Sequence, residues 1–269
     1  MHAWQVVFSA PKHGNSEQEW EDGAAAAPGD AATGRGPRFA VADGATQGFG
    51  SARWALRLVE GFVGQGAGGV DEAPELADEP LYRWLCRTQD RWRHDPVLAH
   101  ATDLQLYKLE TVGSFATFLG CEFADLSGPR PRWSAVALGD TVLFHVRGDG
   151  LVARFPPIPV RGFGFNPDGL PTGRGALEDV VGRMLFAEGD LRDGDVVYLA
   201  TDAVADWVLR ADERDGAALW ALLAGLDHPE AFRVLVDDLR RSEEMVNDDV
   251  TLMRVSVGVS GPEHLVVCL

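Results

Sequence analysis

Carboxylates recur where the chain passes out of predicted strands: Glu21-Asp22, Asp43-Gly44, Asp202 and Asp248-Asp249. Strand ends are held by their neighbours, so side chains there can converge. Taken singly, none of these signals is specific. Asp-Gly after a strand is usually a turn, Asp before a helix is usually an N-cap, and Asp-Asp before a strand is usually solvated. As a set they suit hard divalent cations such as Mg²⁺ or Mn²⁺, which take oxygen ligands and need several carboxylates to offset the charge of two ions. Two ions about 4 Å apart lower the pKa of the water between them and clamp the attacking and leaving oxygens of an in-line phosphoryl displacement. No protein nucleophile is then required. A serine nucleophile is not indicated, because no Gly-x-Ser-x-Gly elbow is present, and the histidines are scattered.

The elements that must position these groups follow from apolar periodicity. Residues 4–10 and 38–42 read as short strands, with a polar, Gly-rich segment between them that holds Glu17, Glu19, Glu21 and Asp22. Ala52, Leu56, Val59 and Val63 recur at helical spacing over 51–65, with Ser51 as N-cap. Residues 64–80 form a loop, and 81–92 and 97–109 form helices expected to pair antiparallel. Strands at 115–123, 133–138, 141–147 and 151–155 read as an antiparallel meander, with Gly139-Asp140 and 148–150 as its tight turns. Residues 156–175 read as an irregular loop. A strand at 196–200 precedes a short helix over 203–209, helices at 217–226 and 230–241, and a closing strand at 250–257. This order fits an α+β layered sandwich in one domain.

Composition sets the class. Of the 269 residues 46% are hydrophobic and 24% charged, which is ordinary for a chain that buries a core. The formal net charge of −17 disfavours nucleic acid and anionic membrane as partners and favours a cation or a basic surface. Cys86, Cys121 and Cys268 show no paired spacing, so neither a disulfide framework nor a zinc site is expected. The N-terminus lacks a basic, apolar leader and no stretch approaches the roughly 18 apolar residues of a membrane span. A soluble, cytoplasmic protein is therefore expected.

The order of the acidic motifs resembles that of the metal-dependent protein phosphatases, the type 2C Ser/Thr phosphatase family, over nearly the whole chain. Glu21-Asp22 resembles the family's Glu-Asp near the N-terminus, and FAVADG at 39–44 its strand ending in a metal-bridging Asp-Gly. GSFAT at 113–117 is similar to Gly-Ser-Thr-Ala, and ALGDT at 137–141 to a Gly-Asp-Ser turn. VVYLATDAVADWV is similar to Leu-Ala-Ser-Asp-Gly-Leu-Trp-Asp, and NDDVT to Asp-Asn-x-Thr.

The resemblance implies a four-layer α-β-β-α sandwich of two central antiparallel β-sheets flanked by paired helices, with metals in a cleft at one end. By position, Asp43 would bridge two Mn²⁺ or Mg²⁺ ions, Gly44 would offer its carbonyl to one, and Asp202 and Asp248 would complete the site opposite Asp22. Asp43 and Asp22 are thus the catalytic candidates. Glu21 would hold water from outside the ligand set, with Asp249 beside it. Asp140 and Asp206 match the residues that hold a third, weaker metal in some members. The implied substrate is a phosphoserine or phosphothreonine protein, with a Ser/Thr kinase as its counterpart.

Four positions depart from the pattern. Ala45 stands where some members have a proton-donating His, and Glu17 where many have a phosphate-gripping Arg, leaving Lys12 or His13 for that task. Ala203 replaces a usual Gly and Asp249 a usual Asn. These departures motivate the alternative of a pseudophosphatase, a binding or regulatory module on the same fold.

Overall fold

Most strands of this chain show little apolar–polar alternation because both of their faces are covered. The computed structural model describes residues 1–16, 19–30, 34–45, 48–66, 73–111, 113–160, 162–164, 167–173 and 177–259. Its elements are β1 (His2–Ala10), β2 (Asp22–Ala27), β3 (Arg38–Gly44), α1 (Ser51–Val63), α2 (Asp78–Trp92), α3 (Pro96–Ala99) and α4 (Asp103–Thr111). There follow β4 (Phe115–Ala124), β5 (Arg132–Leu138), β6 (Val142–Arg147), β7 (Gly150–Phe155), β8 (Leu170–Pro171), α5 (Leu177–Val181) and β9 (Leu185–Asp190). The chain continues through β10 (Val196–Ala200), α6 (Asp202–Ala224), α7 (Pro229–Arg241) and β11 (Val250–Gly258).

The strands form two antiparallel sheets, ordered β1-β11-β10-β6-β7 and β2-β3-β4-β5-β9, with β8 attached to β4. Three apolar layers hold them. Phe39, Val41, Leu119 and Phe123 of one sheet meet Leu199, Met253 and Val255 of the other. Helices α6 and α7 cover the outer face of the β1-containing sheet through Trp220, Leu223 and Phe232, and α1, α2 and α5 cover the other through Trp54, Phe62 and Trp84. At roughly 1.5–3 kcal/mol for each large apolar side chain removed from water, these layers carry the fold. The expected α-β-β-α sandwich is thus the observed one. Among the described residues no helix is long and apolar enough to cross a membrane.

Several local readings change. The expected meander is split: β4 pairs with β5 in one sheet, and β6 with β7 in the other. Gly139-Asp140 is therefore the crossing point between sheets, not a hairpin turn. Gly139 has φ +98, and a Cβ there would stand 2.5 Å from the Asp168 carbonyl oxygen, so only glycine fits the crossing. The helix expected over 97–109 is broken into α3 and α4. No α4 residue is buried, and α2 rests on α1 and α5 instead of pairing with that segment. The helices expected at 203–209 and 217–226 are joined in α6, which kinks at Asp215. Gly50, not Ser51, occupies the N-cap of α1. Glu17 and Cys268 lie outside the described residues, as do parts of the 64–80 and 156–175 loops.

Candidate metal centre

The pairing of β2 with β3 sets Asp22 directly opposite Asp43, and the pairing of β3 with β4 sets Asp43 opposite Thr117. Asp202 opens α6 immediately after β10, Asp248 and Asp249 immediately precede β11, and Asp140 sits at the sheet crossing. One end of the sandwich therefore gathers carboxylates from both sheets. Next to Asp140, the Thr117 and Thr141 hydroxyls share a hydrogen bond of 2.7 Å.

Asp22 is held from the opposite sheet. Its Oδ2 accepts from Thr251 Oγ1 at 2.7 Å and from Thr201 Oγ1 at 3.1 Å, while its buried Oδ1 has no hydrogen-bond partner. Thr201 is the N-cap residue of α6, yet its hydroxyl makes no cap bond and serves Asp22 instead. Thr251 N–H donates to the same Thr201 Oγ1 at 2.9 Å, which closes the pair. Both oxygens of buried Asp140 also lack a partner. Asp202 Oδ1 accepts from Ala203 N–H at 2.5 Å. Ala203, where glycine is usual in the family, turns its methyl into the core beneath α6.

Glu21 and Asp249 act as supports. Asp249 Oδ1 accepts from Lys12 N–H at 2.8 Å and its Oδ2 from Glu21 N–H at 3.0 Å, so one carboxylate ties the exit of β1 to the entry of β2. Glu21 Oε1 accepts from Ser51 Oγ at 3.0 Å, and the Glu21 carbonyl accepts from Gly44 N–H at 3.2 Å. A Cβ on Gly44 would lie 2.7 Å from that carbonyl oxygen and 2.8 Å from Ser51 C, so the Asp-Gly pair is fixed by contact as well as by pattern. Lys12 Nζ reaches Asp248 Oδ1 at 2.9 Å and Glu21 Oε2 at 3.7 Å. His13 is exposed beside it, its backbone held by Asn247.

The electrostatics record crowding of like charge. Burial first, then the charges of Asp249 and Asp202, push the Asp22 carboxyl up to about 8 against the pull of the two threonine hydroxyls. Burial together with Asp22, Asp202, Asp248 and Asp140 holds Asp43 well above the usual carboxylate range. Burial and Asp202 push Asp140 up to about 7, and burial and Asp248 push Asp202 up to about 6. Burial works against the Lys12 ammonium, but the Asp248 hydrogen bond and the charges of Asp248, Asp249 and Glu21 outweigh it and raise its pKa. Asp206 adds to the charge felt by Asp202, but its Oδ2 is engaged by Arg210 Nη2 at 2.8 Å and Nε at 3.0 Å.

Among the described residues no group of three or more Asp, Glu, His or Cys side chains stands as a finished shell around one ion. The donor set nevertheless fits hard divalent cations. Its donors are all oxygens, three buried carboxylate oxygens on Asp22 and Asp140 lack partners, and the repulsion among five aspartates is what added positive charge would relieve. Sequence reading named these aspartates but missed Thr201, Thr251 and the role of Ser51. For the two threonines the signal available was a hydroxyl within three residues of a candidate Asp; Ser51 stands seven residues beyond Gly44 and carried no such signal.

No protein-family model and no curated protein sequence matches the chain. Solved structures do match. The serine/threonine phosphatase PstP/Ppp of Mycobacterium tuberculosis is similar with a TM-score of 0.59 and 15% identity, over 96% of this chain and 100% of that one. The photosystem II phosphatase PBCP gives 0.58 and 14% over 96% and 100%. The catalytic domain of the serine threonine protein phosphatase PstP in complex with two manganese ions gives 0.54 and 15% over 95% and 98%. The likeness is one of fold: the chain has the type 2C phosphatase fold that its motifs resemble.

Proposed function

We propose that the chain is a metal-dependent protein Ser/Thr phosphatase of the type 2C family, a single domain that hydrolyses phosphoserine and phosphothreonine in proteins. The observation that carries this reading is the convergence of Asp22, Asp43, Asp140, Asp202 and Asp248 at one end of the sandwich with buried oxygens unpaired. The manganese pair in a neighbour of the same fold supports it. Asp43, the Gly44 carbonyl, Asp202 and Asp248 would hold two Mn²⁺ or Mg²⁺ ions, with Asp22 facing Asp43 across the ladder. Asp140 is the candidate for a third ion, and Asp206 joins it only by releasing Arg210. When bound, such ions supply Lewis acidity that makes water nucleophilic near neutral pH and offsets phosphoryl charge.

The chain's own residues do the positioning. Thr201 and Thr251 fix one oxygen of Asp22 and leave the other without a hydrogen-bond partner. Ser51 aims Glu21, and Asp249 holds the backbone on both sides. Ala45 carries no proton donor, so the leaving serine or threonine oxygen takes its proton from solvent. Lys12 and His13, at the end of β1, are the candidates to meet the substrate phosphate. A cytoplasmic setting opposite a Ser/Thr kinase completes the reading.

The test is hydrolysis of a phosphothreonine peptide with Mn²⁺, Mg²⁺ or chelator, for wild type, Asp43→Asn and Asp202→Asn, each first shown to be folded. Metal-dependent turnover lost in both variants is expected. A folded, metal-supplemented wild type without turnover would favour the pseudophosphatase. The observation on that side is Lys12, which already occupies Asp248.

A further inference from the structure

The segment that carries Lys12 is fixed against the turn before β11 by contacts independent of its ammonium. Asp249 Oδ1 accepts from Lys12 N–H at 2.8 Å, and Asn247 Oδ1 accepts from His13 N–H at 2.7 Å. Asn247 Nδ2 donates to the His13 carbonyl at 3.3 Å, and Arg240 Nη1 donates to the Pro11 carbonyl at 2.8 Å. Arg240 Nη2 meanwhile grips the Asp248 carbonyl at 2.5 Å. Both ends of the Lys12–Asp248 pair thus stand on one clamped unit, and the pair is a built feature, not a chance meeting of two surface chains. The Lys12 side chain is 17% exposed and sets its charge between Asp248 and Glu21.

A divalent ion that takes an Asp248 oxygen would come within about 2.0–2.6 Å of it, depending on the metal. An ammonium 2.9 Å from that same oxygen would then face a doubly charged ion at close range. The two cations compete for one carboxylate.

We propose that Lys12 is an internal counter-ion of the carboxylate cleft. It holds Asp248 and Glu21 while no divalent ion is bound, has to give up Asp248 when one binds, and so weakens the site's affinity for divalent cations. The proposal rests on the reading of Asp248 as a metal ligand. Lys12 is in this sense a positioning residue: it acts through Asp248 and sets the metal concentration at which the site fills.

The experiment is calorimetric titration of Mn²⁺ into the chelator-stripped full chain, with metal-free thermal unfolding in parallel, for wild type, Lys12→Met, Lys12→Arg and Asp43→Asn. Lys12→Met is expected to bind Mn²⁺ on the order of tenfold more tightly and to melt at a lower temperature without metal. Lys12→Arg, which keeps the charge, should stay within a few-fold of wild type. Should Lys12→Met fail to fold, Lys12→Gln, which keeps a donor toward Asp248, makes the same comparison. Equal or weaker Mn²⁺ binding in the uncharged variant, with wild-type binding that Asp43→Asn abolishes, overturns the counter-ion and leaves the metal reading standing. Absence of Mn²⁺ binding in wild type and Lys12→Met alike overturns both.

Discussion

Asp22 and Asp43 are direct partners across the β2–β3 ladder, both with their carboxyl groups held above the usual carboxylate range. Directly opposed residues of an antiparallel pair place their Cβ atoms about 4.5–5.5 Å apart on one face, a position where like charges repel. The ladder that makes the strands rigid thus holds the two carboxylates together against their repulsion. A site of this kind trades stability for the ability to take up positive charge.

Removing one of the two charges should therefore stabilise the protein while disabling it. Asp43→Asn is expected to raise metal-free stability by about 1 kcal/mol, roughly 2–4 °C in Tm. It should abolish both phosphopeptide turnover and the rise in Tm that Mn²⁺ gives the wild type. Differential scanning calorimetry with and without Mn²⁺ checks this. A metal-free Tm below wild type would show that Asp43 carries stabilising contacts that outweigh the repulsion.

Gly44 tests the same corner by volume. Its added Cβ would overlap the Glu21 carbonyl oxygen and the Ser51 backbone, neither of which can yield without moving α1 or β2. Gly44→Ala is expected to cost about 1–3 kcal/mol and to lower turnover by more than its stability loss explains, because Asp43 moves with it. Urea unfolding beside turnover at saturating metal separates the two effects.

How far the sequence disclosed this arrangement depended on whether the deciding contact was local. Strands β1, β3 and β10 were legible because apolar runs bounded by turn residues leave little else to form. β2, with the sequence DGAAAA, was not, because alanine has low strand propensity and the segment is a strand only through its pairing with β3. The split of the meander between sheets was hidden because β5 and β6 are both largely buried, so no alternation told which sheet each belonged to. At the site, the aspartates stood out as acidic residues at strand ends. The Lys12–Asp248 pair could not be seen, since its partners are brought together only by the β1–β11 pairing.

Asp249 has a task that asparagine would do less well. Each of its two oxygens accepts one backbone N–H, from Lys12 and from Glu21. An amide would offer one oxygen and turn an NH₂ group toward the other donor. Asp249→Asn is expected to cost about 1–3 kcal/mol and to raise hydrogen exchange at the Lys12 or Glu21 amide, with exchange elsewhere in β11 unchanged. Unaltered exchange at both amides would refute the strap.

Away from the site, Asp195 anchors a buried polar link between the sheets, with a pH signature of its own. Its carboxylate accepts from His145 Nε2 at 2.9 Å, from Arg147 Nε and Nη2 at 2.7 Å each and from Arg192 N–H at 2.8 Å. Trp133 Nε1–H of the other sheet donates to His145 Nδ1 at 3.2 Å, which leaves the ring proton on Nε2 for Asp195. Burial alone would raise the Asp195 carboxyl, but the Arg147, His145 and Arg192 hydrogen bonds outweigh it and hold it below the usual value. A depressed folded-state pKa gives stability that is present above the unfolded value, about 3.9 for aspartate, and is lost as pH falls through the folded one. Thermal melts from pH 6.5 down to pH 3 should show a steeper fall in the wild type than in Asp195→Asn. At pH 6.5 the variant should already be about 3–5 kcal/mol less stable, because it leaves Arg147 without its charge partner. Parallel pH profiles for the two proteins would mean that the Asp195 carboxyl is not held below its unfolded value, and that its hydrogen bonds do no more than offset its burial.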